Sequence, residues 1–131
     1  MSDVTAQTPE DPDYDHLMRS NLNRVFNERD PGKRAAAMAE LFVDEPAMFE
    51  PDKVVTGRAA ISEIAGKLLE QFGPTFRFTP QAPAAGHHGL GVLRWQAGPE
   101  GGPVAVTGAD AARIVDGRIA QLWVLLNPPT P

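Results

Sequence analysis

Two carboxylates in apolar surroundings are the side chains here best placed to do chemistry. Glu50 lies in the run Ala47-Met48-Phe49-Glu50-Pro51, and Asp110 lies in Gly108-Ala109-Asp110-Ala111-Ala112. Asp is disfavoured in strands, so its position mid-strand among small residues asks for a reason. Burial raises a carboxyl pKa, and two acids sharing one cavity push one of them further up, which makes the pair a candidate for acid–base work. Plainer roles stay open. Glu50 could pair with Arg58 at a rim, and Asp110 could be a buried acid bonded to backbone or water. His87-His88 is a weak metal motif, because neighbouring strand residues point to opposite faces and only His16 is left to join them. With no cysteine in the chain, thiolate chemistry and disulfides are excluded. No metal and no cofactor are expected.

The whole chain has 131 residues, a net charge of -5 and 42% hydrophobic residues, values suited to one globular domain with a real core. An acidic balance argues against a nucleic-acid surface, which needs a basic patch. No run approaches the ~20 apolar residues of a membrane span, and Met1-Ser2-Asp3-Val4 does not read as a signal peptide, so a cytoplasmic setting is expected.

The elements that must hold the two acids follow from period and punctuation. Residues 1–13, acidic and Pro-containing, read as a flexible arm, 14–127 as the domain and 128–131 as a tail. Met18, Leu22, Val25 and Phe26 form one helical stripe in a first helix from about Asp15 to Arg29, with Asp13 or Asp15 as its cap. Asp30-Pro31 opens a second helix to about Phe42, Asp as N-cap and Pro at the first helical position. Two very short strands follow, Glu50 in the first. Ile61, Ile64, Ala65, Leu68, Leu69 and Phe72 give a third helix one apolar face, and Gly73-Pro74 stops it. From there the period is two. Phe76-Arg77-Phe78 reads as an edge strand before Pro80, and Val92–Ala97, Val104–Val115 and Arg118–Leu126 as strands. Asp116-Gly117 is a two-residue type I′ hairpin signal. Helices first and hairpin-linked strands after them make an α+β protein.

Several local patterns occur in an order that resembles the SnoaL-like branch of the superfamily holding nuclear transport factor 2, ketosteroid isomerase and scytalone dehydratase. They are Phe26-Asn27-Glu28-Arg29-Asp30, Ala47-Met48-Phe49-Glu50-Pro51, Thr56-Gly57-Arg58-Ala59-Ala60-Ile61, Arg94-Trp95, Thr107-Gly108-Ala109-Asp110 and Val115-Asp116-Gly117-Arg118-Ile119. The resemblance covers about Leu17 to Leu126. It implies a curved, mixed, mostly antiparallel sheet wrapped around three N-terminal helices, a cone with an apolar pocket inside. By the same resemblance Glu50 falls where a ketosteroid isomerase carries its general base. Asp110 falls where that enzyme keeps an aspartic acid protonated to donate a hydrogen bond to the substrate oxyanion. The chain departs from the isomerase at Leu22, which stands where that enzyme has its oxyanion tyrosine. Tyr14, the one tyrosine, could reach the pocket only if the arm folds back. Arg94-Trp95-Gln96 and Val124 do not match the Arg-x-Asp and second Asp of the epoxide-hydrolase relatives.

With Asp110 inward, strand parity puts Val106, Gly108, Ala112 and Ile114 on the same face, and Leu93 with Trp95 on the preceding strand. The resemblance sets Leu122, Val124 and Leu126 inward and Trp123 outward. Met18, Leu22, Leu41, Leu68 and Phe72 from the helices, and Met48 beside Glu50, complete the expected pocket. Three classes of function fit: a cofactor-independent isomerase, cyclase or dehydratase; a binder of a small apolar molecule without chemistry; or a dimerisation module whose cone is packed core. Trp123, with Ala105, Thr107 and Ala109, is expected on an outer sheet face covered by a second subunit.

Overall fold

The computed structural model describes residues 12–127. The expected arm to residue 11 and the tail 128–131 lie outside the described residues. Helix α1 (Tyr14–Asn21) is capped by Asp13, whose carboxylate accepts from the His16 N–H at 3.0 Å. The expected first helix is present but ends at Phe26, not near Arg29, and its last part is not α-helical. After Asn21 the chain widens into a π-helical turn, Leu22–Phe26, closed by the Asn27 N–H on the Leu22 carbonyl at 2.9 Å. The turn is anchored by the Asn27 amide, which accepts from the Phe78 N–H and donates to the Phe78 carbonyl, each at 2.8 Å. Helix α2 (Pro31–Leu41) starts as the Asp30-Pro31 pair dictates, with Asp30 accepting from Lys33 N–H at 2.8 Å. Helix α3 (Arg58–Phe72) runs between Gly57 and Gly73, whose φ angles of 95° and 100° only glycine adopts freely.

Seven strands follow: β1 (Phe42–Glu50), β2 (Lys53–Thr56), β3 (Phe76–Pro80), β4 (Ala85–His87), β5 (Leu90–Pro99), β6 (Val106–Val115) and β7 (Arg118–Leu126). Their order is β2-β1-β7-β6-β5-β3, with β4 also on β5. All pairs are antiparallel except β1 with β7, so the sheet is mixed and open. β1 is longer than the very short strand expected. Its pairing with β7 breaks between Phe42 and Ala47, where Pro46 has no N–H to give. The glycine-rich stretch around His87-His88 is a hairpin. His88 and Gly89 form its turn with φ of 53° and 84°, as Asp116 and Gly117 do at 52° and 78° between β6 and β7.

The three helices pack on the concave face. Phe42, Met18, Leu22, Met38, Met48, Ile61, Leu69, Leu93, Ile119 and Leu122 are fully buried between helices and sheet. Two arginines tie helix ends to strands. Arg29 donates to the carbonyls of Leu69, Gly73 and Phe76 at the end of α3, and Arg58 to those of Phe42 and Val43. No helix among the described residues is long and apolar enough to cross a membrane.

Candidate functional site

Asp110 sits at the middle of β6, directly between Leu93 of β5 and Val124 of β7. Its side chain turns to the concave face and only 4% of the residue is exposed. Trp95 Nε1–H donates to its Oδ1 at 3.0 Å. This contact depends on Gly108, the residue opposite Trp95, because a β-carbon there would stand 2.7 Å from the indole ring and 2.4 Å from the Leu125 carbonyl. The indole therefore lies across the bare backbone of Gly108, with its N–H reaching the carboxyl two residues along. Desolvation pushes the Asp110 pKa up to about 7, and the Trp95 hydrogen bond opposes part of that rise.

Glu50 ends β1 on the same face as Met48. Its partner is not Arg58, which is spent on backbone carbonyls and on Asp44 at 3.2 Å. Across the Pro51-Asp52 turn, Lys53 Nζ comes to 3.6 Å from Glu50 Oε1, beyond hydrogen-bond length, and the Glu50 side chain is 16% exposed. Oε1 is buried and has no hydrogen-bond partner. Among the described residues, Asn21 is the other side chain with buried unpartnered atoms, and it does not line the cavity described next.

Both acids line one cavity of about 280 Å³. Leu22, Met48, Phe72, Trp95, Val106 and Val124, all expected on its wall, are there with them. Met18, Leu41, Leu93 and Leu122, expected on the wall too, are not. They are buried within the closed core, where the Met18 side chain approaches Gly91. Inward parity thus does not by itself secure a place in the cavity. Phe26, Phe76 and Phe78 line the cavity and were not anticipated. The Phe76/Phe78 alternation already carried the signal, since both face the same side of β3. Ala105, expected outside, lies at the rim because β6 begins only at Val106. The aromatic side chains form a continuous wall: Phe72 stacks on Phe76 at 4.6 Å, Phe76 meets Phe78 edge-on at 5.6 Å, and Phe78 meets Trp95 at 5.2 Å. Phe72 and Leu126, half exposed, mark the mouth.

Tyr14 is not part of the cavity. Its ring fills the space left by Gly86 and Gly91, and its hydroxyl accepts from Gly89 N–H at 2.7 Å. His87 and His88 do not point apart as expected. The left-handed turn residue His88 brings their Nδ1 atoms to 2.8 Å on an exposed hairpin tip. No cluster of three or more His, Asp or Glu side chains suited to a metal ion occurs among the described residues.

The family model of the SnoaL-like domain matches residues 20–122 of the chain. The chain belongs to the SnoaL-like family. Among solved structures it is similar to a candidate isomerase of that family from Agrobacterium tumefaciens, with a TM-score of 0.81 at 19% identity, covering 88% of this chain and 98% of that one. A candidate polyketide cyclase from Sinorhizobium meliloti gives 0.65 at 16% identity, covering 83% and 93%. A nuclear transport factor 2-like protein of unknown function from Mesorhizobium loti gives 0.67 at 24%, covering 92% and 98%. At these identities the likeness speaks for the fold alone. No curated protein matches the chain.

Proposed function

We propose that this SnoaL-like protein binds a small apolar molecule in its cone and moves a proton on it without a cofactor, with Glu50 as general base and Asp110 as hydrogen-bond donor. The observation that carries this is the presence of both carboxyls on the wall of one otherwise apolar cavity. With its pKa raised to about 7, Asp110 keeps its proton below that pH. Oδ1 accepts from Trp95, so Oδ2 is the oxygen free to carry the proton towards a ligand carbonyl. A donor at that point would stabilise the enolate formed when Glu50 removes an adjacent C–H proton. The names of similar structures, an isomerase and a polyketide cyclase, agree with chemistry of this kind. One observation favours a second reading, a binder without chemistry. Leu22 occupies the wall where the isomerase has a tyrosine, leaving Asp110 the sole donor to an oxyanion.

Deuterium exchange separates the two. With 2-tetralone as the ketone in D₂O at pH 6, wild-type protein should accelerate loss of the α-proton NMR signals over buffer. Glu50→Gln should abolish the acceleration, and Asp110→Asn should reduce it about 10²-fold or more. Exchange by Glu50→Gln at the wild-type rate would refute the assignment, and binding without any exchange would leave the binder.

The same fold is proposed to dimerise through its outer sheet face. Phe49, Trp123, Ala111 and Val92 stand in one register row across four strands on that face. Phe49 and Trp123 stack at 4.9 Å, and Leu125 beside them is 51% exposed.

A further inference from the structure

Asp110 is a buried acid that the protein itself leaves without a cation. Burial and the Trp95 hydrogen bond are the influences on its carboxyl, and among the described residues no Lys, Arg or His pairs with it. Buried charges are ordinarily paired, because a lone carboxylate in apolar surroundings is costly. The groups around it supply no partner: Leu93 and Trp95 on β5, Val124 on β7, Met48 on β1, and Leu22 and Phe72 from the helices. Glu50 is the other titratable group on the cavity wall, and it adds negative charge. Lys53, 3.6 Å from Glu50, has a half-exposed side chain and does not line the cavity. A ligand anion would therefore meet two carboxyls and no cation on the wall. Among the described residues the buried side-chain atoms without a partner belong to Asn21 and Glu50. Asp110 Oδ2, which has no partner either, is thus not closed off, and the space it meets is the cavity. The cation that this carboxylate lacks can reach it there as part of a ligand. The aromatic wall from Phe72 to Trp95 calls for a ring body on that ligand.

We propose that the cavity is also an amine site, where the ammonium of a small apolar amine pairs with Asp110 Oδ2 and its ring body lies along the aromatic wall. This goes beyond the carbonyl chemistry proposed above, rests on the cavity as a ligand site and involves no turnover. With its proton Asp110 meets a neutral ligand as donor; without it, it meets a cation as acceptor. Three probes on one ring skeleton test the proposal: 2-naphthylmethylammonium, 2-naphthylmethanol and 2-naphthoate, titrated calorimetrically at pH 6 and 8 against wild-type protein and Asp110→Asn. In wild-type protein at pH 8 the ammonium should bind about tenfold tighter than the alcohol, the weight of one charge-assisted hydrogen bond, and the naphthoate should bind weakest. At pH 6 the ammonium should lose about tenfold, because Asp110 must first release the proton it holds to about pH 7, while the alcohol should change by less than about twofold. In Asp110→Asn, which keeps the shape, the ammonium and the alcohol should bind within about threefold of each other at both pH values. Equal or tighter wild-type binding of the alcohol or the naphthoate at pH 8, an ammonium affinity indifferent to pH, or an ammonium preference unchanged in Asp110→Asn would each overturn the proposal while leaving the ligand site standing. Failure of all three probes to bind would overturn both.

Discussion

Replacing Asp110 by Asn tests how the cone treats its buried acid, and the structure sets the size and sign of the effect. The Asp110 pKa is raised from 3.8 to about 7, so between those values the folded protein holds a proton that the unfolded chain has released. A group raised in this way contributes stability fully present below its unfolded pKa and lost as pH climbs to its folded one. At ~1.4 kcal/mol for each tenfold, the gap between 3.8 and about 7 is worth about 4 kcal/mol in total, of which about 3 kcal/mol falls between pH 4.5 and 8. Asn keeps the shape and an oxygen for Trp95 but has no charge to bury. Any fixed cost of the amide is the same at both pH values and cancels in the comparison. Urea unfolding of wild type and Asp110→Asn at pH 4.5, 6 and 8 should therefore show the variant gaining about 3 kcal/mol on the wild type across the range, a relative midpoint shift of more than about 1 M. Trp95 supplies a second readout in a Trp123→Phe background, where its emission should titrate near pH 7 with Asp110 and stay flat with Asn. A stability difference that does not change with pH, or that changes in the wild type's favour, would refute the argument that desolvation governs this carboxyl.

Two other substitutions probe what surrounds it. Gly108→Ala sets a β-carbon against the indole and the Leu125 carbonyl, so Trp95 must leave its place or the β6–β7 pairing must shift. A loss of about 1–3 kcal/mol at pH 6 and a change in the Trp95 emission are expected, while unchanged unfolding would show that the close approach is not required. Trp123→Glu places a charge in the apolar row of the outer face, and light scattering at micromolar concentration should move from twice 14.1 kDa to 14.1 kDa. A wild-type protein that already runs as a monomer would end the dimer proposal.

Much of this architecture was legible because its signals are local and chemical. Asp30-Pro31 could open only a helix, Gly57 and Gly73 bound α3, and Asp116-Gly117 required a left-handed turn. The second hairpin hid because its turn is His88-Gly89, and histidine enters the left-handed region seldom enough that the sequence pattern does not advertise it. The π-helical turn at Leu22–Phe26 was invisible for a different reason. It is held by Asn27 bonding to Phe78, a partner 51 residues away, and no periodicity within the first helix contains that fact. Parity along β5, β6 and β7 named the inward side chains, but which of them face open space depends on where the helices stop covering them. That is why Met18, Leu93 and Leu122 are core, whereas Trp95, Val106 and Val124 line the cavity.

The two acids owe their different situations to that same boundary. Asp110 is central on β6, flanked by strands on both sides and roofed by Trp95, so it meets little solvent and retains its proton to near neutrality. Glu50 ends β1 beside a two-residue turn, where Lys53 can approach but not bond, so one oxygen is shut away from water without a partner. A uniformly apolar cone would hold a greasy ligand in any orientation. Asp110 on the inner strand β6 and Glu50 at the end of β1 put two different carboxyls on the wall and give the cavity a direction. Under the proposed function, a ketone whose oxygen meets Asp110 must turn its α-carbon towards Glu50, and orientation of that kind is the first requirement for moving a proton between fixed positions.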